Sequence, residues 1–244
     1  MKVNVILLML LACMLSRMGY GQSVEEPSDA PGYSRGTVYF GLTYAQPMGS
    51  FRRAYPQADA LGGTFGILIN PFLRPSPVEF GAQVTYLSQG VHKIKPLSMA
   101  NNETWKTAHS IIPVHFVARI KPVNNFKIKP YIDCLAGISI FNTRTKIKQN
   151  IVEFLDEDLQ AIVLNKHSNT VLSYGIGAGL LFQVSEHSDT AMDLRFIYLE
   201  SPLARYVQKG DLSIDQDGYP IYYFTRSNTP MLMVQLSIAG LLTD

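Results

Sequence analysis

With 244 residues, 21 of them basic and 19 acidic, the chain lacks the basic excess that marks a nucleic-acid binder. After the N-terminus no apolar run approaches the roughly 18 residues that a helical membrane span needs. Of its 2 cysteines, Cys13 lies in the N-terminal apolar run, so a processed chain keeps only Cys134 and has no intramolecular disulfide.

Met1-Lys2 leads into an apolar run from Val3 to Leu15 that only Asn4 interrupts. Its length and position read as a secretory signal, residues 1–21, cleaved after Gly19-Tyr20-Gly21. A partial lipobox, Leu11-Ala12-Cys13, leaves acylation at Cys13 as an alternative. Cleavage removes Lys2 and Arg17 and leaves 19 basic against 19 acidic residues, a neutral mature protein. Residues 22–35 are polar, with Pro27 and Pro31 among them, and read as a flexible lead-in. Residues 36–244 are expected to form one domain.

From Gly36 onward the chain alternates apolar with small or polar residues, the period of strands with two unlike faces. The first strand, Gly36 to Gln46, sets Val38, Phe40, Leu42 and Tyr44 against Thr37, Tyr39, Gly41 and Thr43. A turn-rich loop, Pro47 to Ala58, separates it from a second strand with Leu61, Phe65, Ile67 and Ile69 against Gly62, Thr64, Gly66 and Leu68. The third sets Phe80, Ala82, Val84 and Tyr86 against Glu79, Gly81, Gln83 and Thr85. A long polar loop, Ser88 to Thr107, holds the single tryptophan, Trp105.

The fourth strand sets Ile112, Val114, Phe116, Ala118 and Ile120 against His115, Val117 and Arg119. Past a short turn at Pro122, the fifth runs from Ile128 to Phe141, with Ile132, Cys134, Ala136, Ile138 and Ile140 against Tyr131, Asp133, Leu135, Gly137 and Ser139. Asn142 to Asn169 reads as the longest irregular stretch. The sixth strand opposes Leu172, Tyr174, Ile176 and Leu180 to Ser173, Gly175, Gly177 and Gly179. The seventh opposes Met192, Leu194, Phe196 and Tyr198 to Asp193, Arg195 and Ile197. A last long loop, Ser201 to Asn228, precedes an eighth strand with Leu232, Val234, Leu236 and Ile238 against Met233, Gln235 and Ser237.

One face is greasy and the other too small and polar for an ordinary core, and the connections alternate short and long. Both traits predict an all-β fold, an eight-stranded antiparallel up-and-down transmembrane β-barrel with short periplasmic turns and longer outer loops. The alternative is a soluble lipocalin-like barrel with its apolar side inward. The repeated glycines Gly175, Gly177 and Gly179 argue against it, because inside a narrow barrel they make room for larger neighbours.

Three stretches carry a resemblance. They are Val38-Tyr39-Phe40-Gly41-Leu42 with Pro47-Met48-Gly49-Ser50-Phe51, Pro130-Tyr131 through Ala136-Gly137-Ile138, and Tyr174-Gly175-Ile176-Gly177-Ala178-Gly179 followed by Asp193-Leu194-Arg195. Through them the chain resembles the small outer-membrane β-barrels of Bacteroidota, a class that includes OmpA- and OmpX-like barrels and PorT-like barrels tied to secretion. The resemblance implies the outer membrane of a Gram-negative bacterium. One departure stands: such barrels often end in an aromatic residue, whereas this chain ends Leu241-Leu242-Thr243-Asp244.

The candidate site is a set of inward ionisable groups, Glu79, Arg119, Asp133, Asp193 and Arg195, all near the short-turn ends and so expected in one layer of the lumen. In so narrow a space they must pair, and arginine pairs with carboxylates bidentately. A structural plug is the bland reading, and a gate or proton-sensitive switch the functional one. His115 faces the same lumen; a catalytic reading would join it to Glu79 or Asp133, but no serine motif supports that. In the loop before the sixth strand, Ile151, Phe154, Leu155, Leu159 and Ile162 recur at near-helical spacing between acidic residues, a candidate partner contact. Asp211, Asp215 and Asp217 are too sparse for a calcium site, and neither metal nor cofactor is expected. The function expected is non-enzymatic: a structural or accessory component, set in outer-membrane lipid, whose outer loops or barrel wall dock proteins of a secretion or assembly machine. A small gated porin-like channel and an outer-membrane hydrolase are the alternatives.

Overall fold

A computed structural model describes residues 34–72, 76–94, 104–123, 127–148, 163–183, 189–214 and 220–243. The expected signal and nearly all of the lead-in, with the loop residues Ile151, Phe154, Leu155, Leu159 and Ile162, lie outside the described residues.

The chain runs β1 (Ser34–Pro47), α1 (Gly49–Ala54), β2 (Ala60–Ile69), β3 (Val78–Ile94), β4 (Thr104–Ile120), β5 (Ile128–Lys148), β6 (Val163–Gln183) and β7 (Thr190–Glu200). Four short strands follow, β8 (Ala204–Tyr206), β9 (Leu212–Ile214), β10 (Pro220–Tyr222) and β11 (Thr225–Ser227), before β12 (Met231–Thr243). Eight strands close an antiparallel barrel in the order β1-β12-β7-β6-β5-β4-β3-β2, β2 returning to β1. The short pieces form ribbons in the last long loop, β8 with β11 and β9 with β10.

Alternation decides which side chains enter the barrel, and the two sides are as unlike as the sequence predicts. Leu42, Leu172 and Ile176 are 67%, 71% and 63% exposed on the outer wall, whereas Glu79, Arg119, Asp133, Asp193 and Arg195 are at most 1% exposed inside. A soluble barrel of the lipocalin kind would reverse this arrangement. Among the described residues no helix is long and apolar enough to cross a membrane, and the ladder closes on all eight strands, which makes a strand barrel viable in lipid.

The loops are shorter than the sequence predicts. Periodicity makes residues 88–107 and 142–169 irregular, yet β3 and β4 span 17 residues each and β5 and β6 span 21 each, against 10 for β2 and 11 for β7. Strand pairing continues beyond the apolar band because it is carried by the backbone ladder, while the outer face there has turned polar and the apolar alternation fades. Trp105, expected in a loop, sits on β4 and is 1% exposed. A bulge between Ser88 and Gly90 shifts the β3 register, with Gly90 in the left-handed region at φ 98°. The first long loop contains α1, too short for its periodicity to register in sequence, and the last contains the two short ribbons, β8 with β11 and β9 with β10.

Candidate functional site: a charged lumen under an aromatic seal

The register brings the inward charges together. Arg119 on β4 stands opposite Glu79 on β3 and opposite Asp133 on β5, and Asp193 and Arg195 come from β7. Between β5 and β7, strand β6 contributes Gly177 opposite Asp133 and Gly179 opposite Arg195, so no side chain separates the charges of the flanking strands.

Arg119 donates to Asp133 through Nε at 2.9 Å and Nη2 at 3.1 Å, a bidentate pair. Arg195 reaches across β6 to place Nη2 2.5 Å from Asp133 Oδ2, and its Nη1 donates to Gln83 Oε1 at 2.6 Å and to the Tyr39 hydroxyl at 3.2 Å. Asp193 accepts a hydrogen bond from the Tyr131 hydroxyl and lies 3.9 Å from Arg119 Nη2. The Arg119 guanidinium carbon lies 3.7 Å from the centre of the Tyr131 ring and 5.5 Å from that of Tyr39, so the cation sits between two aromatic rings.

The third acid has a partner the sequence did not reveal. Glu79 pairs with Lys121, Nζ to Oε1 at 2.5 Å, and accepts from Thr37 at 3.3 Å. Lys121 follows β4 in the turn; its side chain folds back into the barrel and keeps 11% exposure. Three acids therefore meet three cations. Such pairing is what a dry lumen demands, because a lone buried charge costs several kcal/mol; the hydrogen bonding is incomplete, with Arg119 Nη1, Arg195 Nε and Asp193 Oδ2 lacking a hydrogen-bond partner among the described residues. The layer continues upward as a hydroxyl ladder, Thr43 to Thr64 at 2.6 Å and Thr64 to Thr85 at 2.9 Å, joined to Arg195 through Gln83.

Of the glycines foreseen as spacers, Gly179 makes room for a tyrosine: a Cβ there would overlap the Tyr131 ring, whereas Gly175 and Gly177 face the backbone and aliphatic side chains of β7. Gly66 on β2, not foreseen, plays the same part, since its Cβ would overlap the Tyr39 ring. Without Gly66 and Gly179 the rings that flank Arg119 would have no room.

His115 is buried in the lumen, and it meets neither Glu79 nor Asp133. Its Nε2 bonds to the Ser173 hydroxyl, to which Ser139 donates at 3.0 Å, and its Nδ1 has no partner among the described residues. A hydrolytic arrangement needs an acid to orient the imidazole from that second nitrogen.

A second closure lies at the long-loop end. Phe51 of α1 is fully buried and packs edge-on against Tyr55, Phe141 and Tyr206, with ring centres 6.3, 6.4 and 5.3 Å away. The Met48 amide donates to the Pro230 carbonyl at 2.8 Å and the Ser50 hydroxyl to that of Asn228 at 3.1 Å, which holds the helix against the last loop. The Tyr55 hydroxyl accepts from the Lys209 amide at 3.0 Å, and burial pushes this phenol up to about 12. Sequence reasoning missed this seal because its members come from three separate segments, although Phe51 lies in a stretch that carries the resemblance.

The outer wall completes the picture. Exposed Tyr44, Tyr86, Tyr174 and Tyr198 lie near the outer limit of its apolar band, where amphipathic rings suit a membrane interface. Fold and lumen define an eight-stranded, membrane-spanning β-barrel of the outer-membrane type, occluded by its own side chains. No protein-family model matches the chain, and no curated protein matches it in sequence. Among solved structures it is similar to Neisserial surface protein A, at 11% identity and a TM-score of 0.45 over 86% of this chain and 98% of that one. A major outer membrane protein from Thermus thermophilus aligns at 9% identity and a TM-score of 0.46 over 84% and 98%. The attachment invasion locus protein Ail of Yersinia pestis aligns at 11% identity and a TM-score of 0.37 over 86% and 99%.

Proposed function

We propose that the protein is a non-conducting, non-enzymatic barrel of the outer membrane, a structural or accessory component that docks other outer-membrane or periplasmic proteins. The observation that carries this reading is the double closure of the lumen. A barrel blocked by both an ion-paired layer and an aromatic seal offers its wall and its projecting strands to partners rather than its interior to solutes. The resemblance to Bacteroidota barrels, PorT-like ones among them, favours a secretion or assembly machine, and the segment holding Ile151, Phe154, Leu155, Leu159 and Ile162 is the proposed contact. Gentle detergent extraction from the native membrane, followed by sizing and mass spectrometry, tests it. A stoichiometric complex is expected, and a lone barrel with bound detergent would refute the docking role.

The second reading, a gated channel, draws support from one observation: Phe51, the centre of the outer seal, sits on α1, a loop element, and only Phe141 of the seal belongs to the barrel wall. It requires conductance in planar bilayers that rises when Arg119 or Arg195 is neutralised. The occluded barrel predicts none in wild type.

A further inference from the structure

The outward face of the β3–β6 extension carries a charge pattern that a free sheet would not tolerate cheaply. Lys93 stands directly opposite Lys106, and Lys106 directly opposite Lys146. One outward position closer to the membrane, Arg144 stands directly opposite Lys166. Like charges facing each other across strands destabilise a sheet. All five are at least partly exposed, and none makes an ion pair with a described residue. No described acidic residue lies on this face of the four strands.

Height gives the patch its meaning. On each strand the main apolar band ends at Tyr86, Ile112, Ile140 or Leu172 and a polar collar of Ser88, Ser110, Asn142 and Thr170 follows; Arg144 comes next on β5, while Val91, Ala108 and Ser168 precede Lys93, Lys106 and Lys166 on the other three strands. From Ile140 to Arg144 the strand advances about 13 Å, or roughly 10 Å in height at a tilt of about 40°. A headgroup layer extends about 5–8 Å past the hydrocarbon, within reach of Arg144 and Lys166 leaning down along their stems.

We propose that this face binds the phosphate groups of phosphorylated glycolipid in the outer leaflet around the barrel. The assignment rests on the outer-membrane reading above. Charge complementarity selects an anionic occupant, and continuity with the lipid-facing wall selects a lipid. The phosphates neutralise cations that otherwise repel one another, so the lipid completes the outer face of the projecting sheet.

The test inserts the full barrel into phosphatidylcholine nanodiscs doped with bis-phosphorylated lipid A, or with its dephosphorylated form, and counts bound glycolipid by native mass spectrometry. Wild type is expected to enrich the phosphorylated form, less so as salt rises. Lys106→Gln with Arg144→Gln and Lys166→Gln is expected to weaken enrichment, by about fivefold each for Arg144 and Lys166 and by less for Lys106, which stands one outward position higher, while Arg52→Gln with Arg53→Gln on α1 leaves it unchanged. The triple variant loses only repulsion, so it should unfold in lipid-free detergent at an equal or higher denaturant concentration; the single variant Arg144→Gln serves as a milder check. Equal enrichment of both glycolipids, or enrichment that survives the triple variant, overturns the proposal. So does cation-dependent binding of a soluble sulfated oligosaccharide without lipid enrichment, and so does a gain of enrichment on neutralising Glu153, Asp156, Glu157 and Asp158, which would make those carboxylates the occupant. A barrel that fails to insert at all refutes the membrane reading instead, so the two failures are distinguishable.

Discussion

Replacing Asp133 by Asn keeps the shape of the side chain and removes its charge. Asp133 is fully buried, accepts both hydrogen bonds from Arg119 and touches Arg195. Without it two guanidiniums share only Asp193, whose nearer contact to Arg119 is 3.9 Å. Removing one partner of a buried pair costs about 3–5 kcal/mol. Glu79→Gln is the internal comparison. It also orphans a cation, but Lys121 keeps 11% exposure at the barrel end and can turn to water, so the cost falls to about 1 kcal/mol. Removing Arg119 and Asp133 together, as Met and Leu, keeps the layer balanced and should recover most of the loss. Urea unfolding in phospholipid vesicles reads all of these variants through Trp105, the single tryptophan, which passes from a buried site to water. The reasoning is refuted if Asp133→Asn is no more costly than Glu79→Gln, or if the double substitution is as costly as the single one.

Two further outcomes follow from the geometry. Gly179→Ala should destabilise by about 1–3 kcal/mol in the same unfolding assay, because its Cβ drives into the Tyr131 ring. Gly63→Ala, whose nearest neighbour would be 3.7 Å away on the outer wall, should stay within about 0.5 kcal/mol; equal effects would mean that Tyr131 is not held against β6. Cys134 is exposed on the lipid-facing side of β5. In vesicles, with Cys13 absent, a bilayer-soluble maleimide should label it and a sulfonated one should not until the barrel is unfolded. Labelling of the folded protein at the same rate by both would place that wall in water.

The barrel wall was legible in the sequence because lipid and lumen impose opposite demands on neighbouring residues. Val38 to Tyr44 and Ile132 to Ile140 could hardly alternate so cleanly for another reason. Above the apolar band that contrast disappears: Lys106 and Thr107 are both polar, so nothing distinguishes a projecting strand from a loop, and β3 to β6 run further than periodicity shows. Within the lumen, Arg119, Asp133 and Arg195 announced themselves as charges on a small-residue face. Lys121 did not, since it falls beyond the strand and enters only by the reach of its stem. The seal of Phe51, Tyr55, Phe141 and Tyr206 depends on how loops fold over a mouth, which periodicity does not encode.

The seam between β1 and β12, with Ser34 opposite Thr243, joins the two ends of the described chain. No hairpin formed earlier can bury the ionic layer, whose members lie on β3, β4, β5, β7 and the turn after β4 and whose tyrosine and threonine partners include Tyr39 and Thr37 on β1. Contacts so distant in sequence form late. Until the ring closes, the guanidiniums and carboxylates on its future inner face stay wet, and an open sheet that keeps them wet resists both self-association and premature burial in lipid. The most expensive desolvation in the molecule thus waits on closure of the ring, and the charges that plug the finished barrel are the last to lose their water.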